Sequence, residues 1–246
     1  MSTPAPRLDL HRAGDRFTTA WDGGQTHHSF SFGPHYDAAN TGFGVLLLHD
    51  EHLLEAGAGF DPHPHRDLEI VTWVLQGSLA HQDSTGRYGS VGPGRVQRLS
   101  AGSGVRHSEQ NPNLETLRFV QAWVVPDVPG QPPVYEERDF TAEVLGRGLV
   151  PVASGREHLG AVRLGNREVV LLVTRLDPGQ TVALPTAPFL HLYVASGAVR
   201  VTGAGVLMAG DALRLTGAEG VTVTGVGVEE ARNSEVLVWE MHAQLG

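Results

Sequence analysis

Two segments decide how this chain is read: Gly57-Ala-Gly-Phe-Asp-Pro-His63-Pro-His65-Arg-Asp-Leu-Glu69 and Gly102-Ser-Gly104-Val-Arg-His107-Ser-Glu109-Gln-Asn111. In each, two side chains able to bind a metal stand two residues apart. On an extended strand that spacing projects both from one face. His63 and His65 therefore point together, and so do His107 and Glu109. If the strands curl into a small barrel with those faces inward, three imidazoles and a carboxylate converge. Such a set suits a divalent transition metal. The rest of the chain reads as its scaffold.

Working outward, the flanks carry strand patterns broken by tight turns. His28-Ser-Phe30-Ser-Phe32 alternates, and Phe43 to Leu48 is a short apolar run. Leu68 to Leu75 is rich in β-branched and aromatic residues and stops at Gln76-Gly77. Leu79-Ala-His81-Gln-Asp83 is a polar strand, Gly92-Pro-Gly94 a turn, and Phe119 to Val125 another apolar strand. Residues 1 to about 25 show no periodic signal. Pro126 to Pro133 holds four prolines and reads as a linker. Val134 to Phe140 is expected to cross back to the first half.

Beyond the linker the grammar repeats. Phe189-Leu-His191-Leu-Tyr193-Val-Ala195 ends at Ser196-Gly197, as the earlier strand ends at Gly77, and Ala209-Gly210-Asp211 matches the turn at Gly92. This is the pattern of a tandem repeat. The histidine clusters have no counterpart there, because the positions near Leu184 and Pro185 are apolar. The second unit is expected to be free of metal.

Composition removes several chemistries. Gly 31 and Pro 15 in 246 residues suit many short strands, and a hydrophobic content of 41% allows a full core. There is no cysteine, which excludes disulfides and thiolate sites. All 18 basic residues are arginine, so Schiff-base lysines and phosphate-loop lysines are excluded as well. A formal charge of -9 argues against a chain whose task is gripping nucleic acid, though not against binding another protein. No apolar run is long enough to span a membrane, and the N-terminus carries no basic-then-apolar leader. The expectation is a cytoplasmic protein. A weak lean toward a monomer follows from the repeat, which can serve as an internal pair.

The spacing Gly57-x5-His63-x-His65-x3-Glu69-x7-Gly77 lies within one residue of the first cupin motif, and Gly104-x2-His107-x3-Asn111 matches the end of the second. The stretch from His63 to Gly77, then His81-Gln-Asp83-Ser, then Leu99 to Glu109, resembles the pirin family. It is especially similar to the bacterial pirin-related quercetin dioxygenases. His28-Ser-Phe-Ser-Phe-Gly33 and Glu55-Ala-Gly57-x-Gly59-Phe60 fit the same family, and the specific match covers roughly residues 28 to 140.

Spacing alone leaves the role of Glu69 open, since it shares strand parity with His65 and the glutamate of the first motif is a ligand in ordinary cupins. In pirins the fourth ligand is the glutamate two residues after the third histidine. Carried over, the metal ligands are His63, His65, His107 and Glu109. Glu69 is then left nearby as a partner of Arg66, a group supporting the ligands, or a base. Asp67, Glu69, Asn111 or backbone carbonyls could hold the second nitrogens of the histidines. Trp73 and Trp123 read as core and Arg106 as a solvated charge. His11, His49, His158 and His242 read as surface or hydrogen-bonded residues, and His28 as a residue near the barrel mouth.

The resemblance implies an all-β fold of two tandem antiparallel barrels, a bicupin with few short helices. Residues 1–130 would form the metal-binding barrel and 131–246 a barrel without metal ligands. It implies one divalent metal, Fe(II) first, with Ni, Co, Mn, Cu or Zn also accommodated by three imidazoles and a carboxylate. Four protein ligands leave two positions open on a six-coordinate ion. The implied activity is ring opening of a flavonol such as quercetin by dioxygen with loss of carbon monoxide, Glu109 being the base for the 3-hydroxyl. The other class implied is a non-catalytic, iron-dependent regulator working through protein partners. An enzyme needs a pocket for a three-ring substrate, and a regulator does not.

Overall fold

The computed structural model describes residues 6–145, 148–229 and 231–245. It is nearly all strand, and among the described residues the only helical pieces are single turns at Ala13–Asp15 and Thr141–Val144. The first half is a seven-stranded sheet facing a four-stranded one. The large sheet runs, edge to edge, through Val134–Asp139, Arg95–Ser100, Glu69–Gln76, Leu117–Val124, Leu46–Leu54, Gly24–His28 and Phe17–Trp21. The small sheet runs through Gly59–His65, Val105–Gln110, Leu79–Asp83 and Tyr88–Val91. The second half repeats this layout with another seven-stranded and another four-stranded sheet. The expected barrels are thus open sandwiches. No ladder among the described residues joins the large sheet of a half to its small one. In the first half the gap beside the Phe17–Trp21 edge is taken by a cavity, described below.

The repeat is reciprocal at its edges. Arg7–His11, at the start of the chain, pairs antiparallel with Ala212–Ala218 and completes the large sheet of the second half. Val134–Asp139, just after the linker, pairs with Arg95–Ser100 and completes that of the first. Each half lends the other an edge strand. The first of these was not legible in the sequence: Arg7-Leu-Asp-Leu-His11 is only five residues long and half exposed. Phe17–Trp21, an outer strand with exposed positions, was missed for the same reason. The alternation from His28 to Phe32 also misled, since the strand ends at His28 and a loop follows.

Alternation along Glu69–Gln76 sorts the cores. Ile70 and Val74 face the small sheet, while Val71 and Trp73 face the other half. The largest cluster lies between the two large sheets, where Val71, Trp73, Val120 and Ala122 meet Val169, Leu171, Tyr193 and Trp239. Two polar anchors cross this interface in mirrored fashion. Trp73 Nε1 donates to Glu235 at 2.6 Å, and Glu235 also accepts from Arg175. Tyr193 donates to Glu51, which also accepts from Arg118. Each buried carboxylate is thereby paired, which removes the penalty of burying it alone. The interior of the second sandwich is filled by aliphatic side chains such as Leu184, Leu190, Leu192, Leu213 and Leu215.

Candidate metal centre and its pocket

Gly59–His65 and Val105–Gln110 are antiparallel neighbours, and His107 lies directly opposite His63. A bulge between His107 and Glu109 shifts the register, so that Glu109 stands opposite Phe60. The strands approach closely here: a Cβ on Gly59 would sit 2.3 Å from the Glu109 carbonyl oxygen, so only glycine fits. The rings of His63, His65 and His107 converge, with centroids 4.8 Å (His63–His65), 4.5 Å (His63–His107) and 5.0 Å (His65–His107) apart. Imidazoles bound at right angles to one ion, with metal–nitrogen distances of about 2.1 Å, have centroids roughly 4.5 Å apart.

The ligating atoms of His63, His65 and His107 all lie within 4.8 Å of one another. His107 belongs by the same measure to a second trio, with His81 and Glu109. The structure thus brings the three expected histidines together and sets Glu109 against His107 and His81. His81 was passed over in the sequence reading. It is fully buried, faces Glu109 across the strand pair, and its Nε2 lies 3.2 Å from Asp83. The signal was present, because His81-x-Asp83 has the same spacing of two as His63-x-His65.

The electrostatics favour the ligating forms of the histidines. His65 is pushed down to about 4 and His107 to about 3, first by burial and then by the neighbouring imidazoles. Both are neutral bases at neutral pH. Burial pushes the Glu109 carboxyl up, against the hydrogen bonds that it accepts from Gln121 Nε2 at 2.9 and 3.2 Å. Gln121 is fixed in turn by Trp123 Nε1, which donates to its Oε1 at 3.1 Å. His63 Nδ1 donates to the backbone carbonyl of Asp61 at 2.8 Å, leaving Nε2 for the cluster. His65 Nε2 and both ring nitrogens of His107 are buried with no hydrogen-bond partner in the chain. Buried nitrogens left unpaired are costly, and an ion at this point would satisfy His65 Nε2 and one ring nitrogen of His107. The donor set fits a divalent transition metal.

Glu69 faces away from this cluster. Between His65 and Glu69 the chain turns from the small sheet to the large one at Asp67, which has φ 51, and the corner breaks the parity that the sequence suggested. The Glu69 carboxylate accepts from the Gly165 N–H at 3.1 Å and lies 4.0 Å from Arg98, in a groove between the two halves. Its neighbour is therefore Arg98 and not Arg66. Asp67 accepts from Gly130 N–H, and Asn111 donates to the carbonyls of Leu54, Glu55 and Glu115, so neither supports a histidine. Trp73 is core, as expected. Trp123 is not only core, since its ring stands 5.0 Å from that of His65 and walls a cavity. His49 is wholly buried between the halves, 4.5 Å from the ring of His191, and not at the surface.

That cavity, of about 350 Å³, opens on the histidine cluster. Trp21, Phe32, Leu48, Phe60 and Trp123 make it largely apolar, and His63, His65, Glu109 and Gln121 form its polar end. Its size and character are those of a small-molecule site. Sequence reasoning missed most of the wall, because it is assembled from strands and loops far apart in the chain.

A tandem pair of cupin-like sandwiches, with a histidine–carboxylate cluster in the first alone among the described residues, defines a class of metal-binding all-β proteins. The Pirin family profile matches residues 11–124. A Mycobacterium tuberculosis relative named "Putative quercetin 2,3-dioxygenase Rv0181c" is 48% identical over 241 residues, 97% of each chain. An Escherichia coli protein named "Quercetin 2,3-dioxygenase" is 45% identical over 131 residues, 53% of this chain and 56% of its own. Among solved structures, the bacterial pirin YhhW of Escherichia coli in complex with nickel(II) superposes with TM-score 0.84 at 30% identity, over 96% of this chain and 100% of its own. This chain belongs to the pirin family. Among the described residues, no helix is long and apolar enough to cross a membrane.

Proposed function

We propose that the chain is a metal-dependent dioxygenase that opens the central ring of flavonol-like substrates and releases carbon monoxide. The observation that carries this reading is a sizeable, mostly apolar cavity lined at one end by His63, His65 and Glu109, where His65 Nε2 is buried and unpaired. A regulator acting through its surface has no need of such a cavity. The names of the Mycobacterium and Escherichia coli relatives support the reaction class, and the nickel complex of YhhW supports a metal in this kind of site.

His63, His65, His107 and Glu109 are the proposed ligands, with Fe(II) the first candidate and nickel the alternative that YhhW favours. A bound divalent ion would acidify a coordinated hydroxyl and present it to dioxygen. The chain's own groups do the rest. Trp123, Phe32 and Phe60 hold a flat aromatic substrate and exclude water. Glu109, at the polar end of the cavity, takes the proton of the 3-hydroxyl, and Gln121 sets the position from which its carboxylate turns. His81, opposite Glu109 on the neighbouring strand and held by Asp83, completes the polar surroundings of that carboxylate. A cytoplasmic site, where Fe(II) is kept reduced, agrees with this chemistry.

The test is metal analysis after anaerobic purification, followed by quercetin turnover read as carbon monoxide, for wild type, His63→Ala and Glu109→Gln. Stoichiometric metal with turnover abolished in His63→Ala supports the reading. Stoichiometric metal without turnover moves the assignment to a regulator, and no metal after reconstitution with iron, nickel and manganese removes the centre itself.

A further inference from the structure

The cavity has a second polar station that the metal chemistry leaves unused. It is built from the outer strands of the large sheet, whereas His63 and His65 come from the small sheet facing it. His28 Nδ1 lies 2.7 Å from Asp50 Oδ2, and His28 Nε2 lies 2.9 Å from Thr19 Oγ1. His28 and Asp50 are 4% and 2% exposed, while Thr19 is only half buried, and all three border the cavity. A chain of aromatic rings links the two stations. His65 packs against Trp123 at 5.0 Å, Trp123 against Phe32 at 5.8 Å, and Phe32 against His28 at 5.5 Å.

A hydroxyl both donates and accepts, so Thr19 Oγ1 pairs with His28 Nε2 whichever of the two supplies the hydrogen, and keeps a lone pair or its own hydrogen for the cavity. A neutral ligand hydroxyl, itself donor and acceptor, matches such a group in either state. In a pocket that is otherwise mostly apolar, a few polar groups of this kind fix a ligand's orientation.

We propose that Thr19, positioned by His28 and Asp50, is the specificity residue that receives a second hydroxyl of a flat polyhydroxylated aromatic ligand, away from the metal end. The assignment deepens the dioxygenase reading and rests on it for the identity of the bound class. Thr19 touches the ligand, and His28 and Asp50 act through it as positioning residues.

The experiment compares quercetin with 3-hydroxyflavone, which keeps the reacting hydroxyl and lacks the others. Binding to the metal-free chain is measured by tryptophan fluorescence, and turnover by the metal-loaded chain is measured separately. Thr19→Val, on a half-exposed outer strand, is expected to weaken quercetin binding roughly 3- to 10-fold, the worth of one neutral hydrogen bond. It should leave 3-hydroxyflavone unchanged. Thr19→Ser should restore quercetin, and Asp50→Asn should reproduce the loss. In turnover the effect should fall on KM for quercetin and not on kcat. Equal effects on both flavonols, no effect on either, or no binding of either by the metal-free chain would each overturn the proposal. Selective binding without turnover would uphold it while removing the dioxygenase reading, so the two fail separately.

Discussion

Gln121 is the residue on which the geometry of Glu109 depends, because its amide nitrogen lies 2.9 Å from one carboxylate oxygen and 3.2 Å from the other. Replacing it with Met keeps volume and removes that donor. Partners of this kind typically carry about 10–100-fold in metal affinity or activity. On the dioxygenase reading, Gln121→Met is therefore expected to lose turnover on that scale and to lower the melting temperature by a few degrees, because Trp123 Nε1 and the Glu109 carboxylate lose a partner, which steady-state kinetics beside thermal unfolding will check. His49 and His52 carry a different prediction. Burial pushes both down to about 3, against about 6.5 when unfolded. Between those values the unfolded chain binds more protons than the folded one. Stability is thus complete above about pH 6.5 and falls as pH drops toward 3, by up to about 1.4 kcal/mol per pH unit for each group. His49→Leu loses no hydrogen bond, since both ring nitrogens are unpartnered. It should give a shallower fall of melting temperature between pH 6.5 and 4.5, and an unchanged slope would refute the assignment of this acid sensitivity to His49.

At the level of elements, the exchanged edge strands matter more than their length suggests. Arg7–His11 covers the outer edge of Ala212–Ala218 through five residue pairs. Without it that edge presents unpaired N–H and C=O groups, a template for another chain. Deleting residues 1–11 should convert part of the protein to dimers or larger species at micromolar concentration, read by light scattering, with the metal content per chain unchanged from that of the full-length protein. The elements also show where periodicity was a sound guide. Glu69–Gln76, Leu117–Val124 and Val169–Leu176 are long, apolar and central, and the sequence announced them. Short outer strands bury one face at most, so their pattern is faint. The corner at Asp67 defeats parity altogether, because alternation holds only while a strand continues.

For the whole molecule, the largest core lies between the halves and each half completes the other's sheet. The second half also has an aliphatic core of its own, but the face it turns to the first half is equally apolar. Two sandwiches coupled in this way should unfold together. Urea denaturation followed by tryptophan fluorescence and by far-ultraviolet circular dichroism should give coincident single transitions, with separate midpoints as the contrary result. Fragments 1–130 and 131–246, expressed singly, should be insoluble or molten, because each would expose the apolar face around Trp73 or Tyr193.

By itself the sequence determined the all-β class, the tandem repeat and the pairing of His63 with His65 on one face, because strand alternation and a spacing of two are local properties of the backbone. The resemblance carried by those same residues pointed to the family. Tertiary structure alone decided that Glu69 turns toward Gly165 and Arg98, that His81 stands against Glu109, and that Thr19, His28 and Asp50 share a cavity with Trp123. These are contacts between strands distant in the chain. They are set by a corner, a bulge and the packing of one sheet on another, and no local pattern of residues records them.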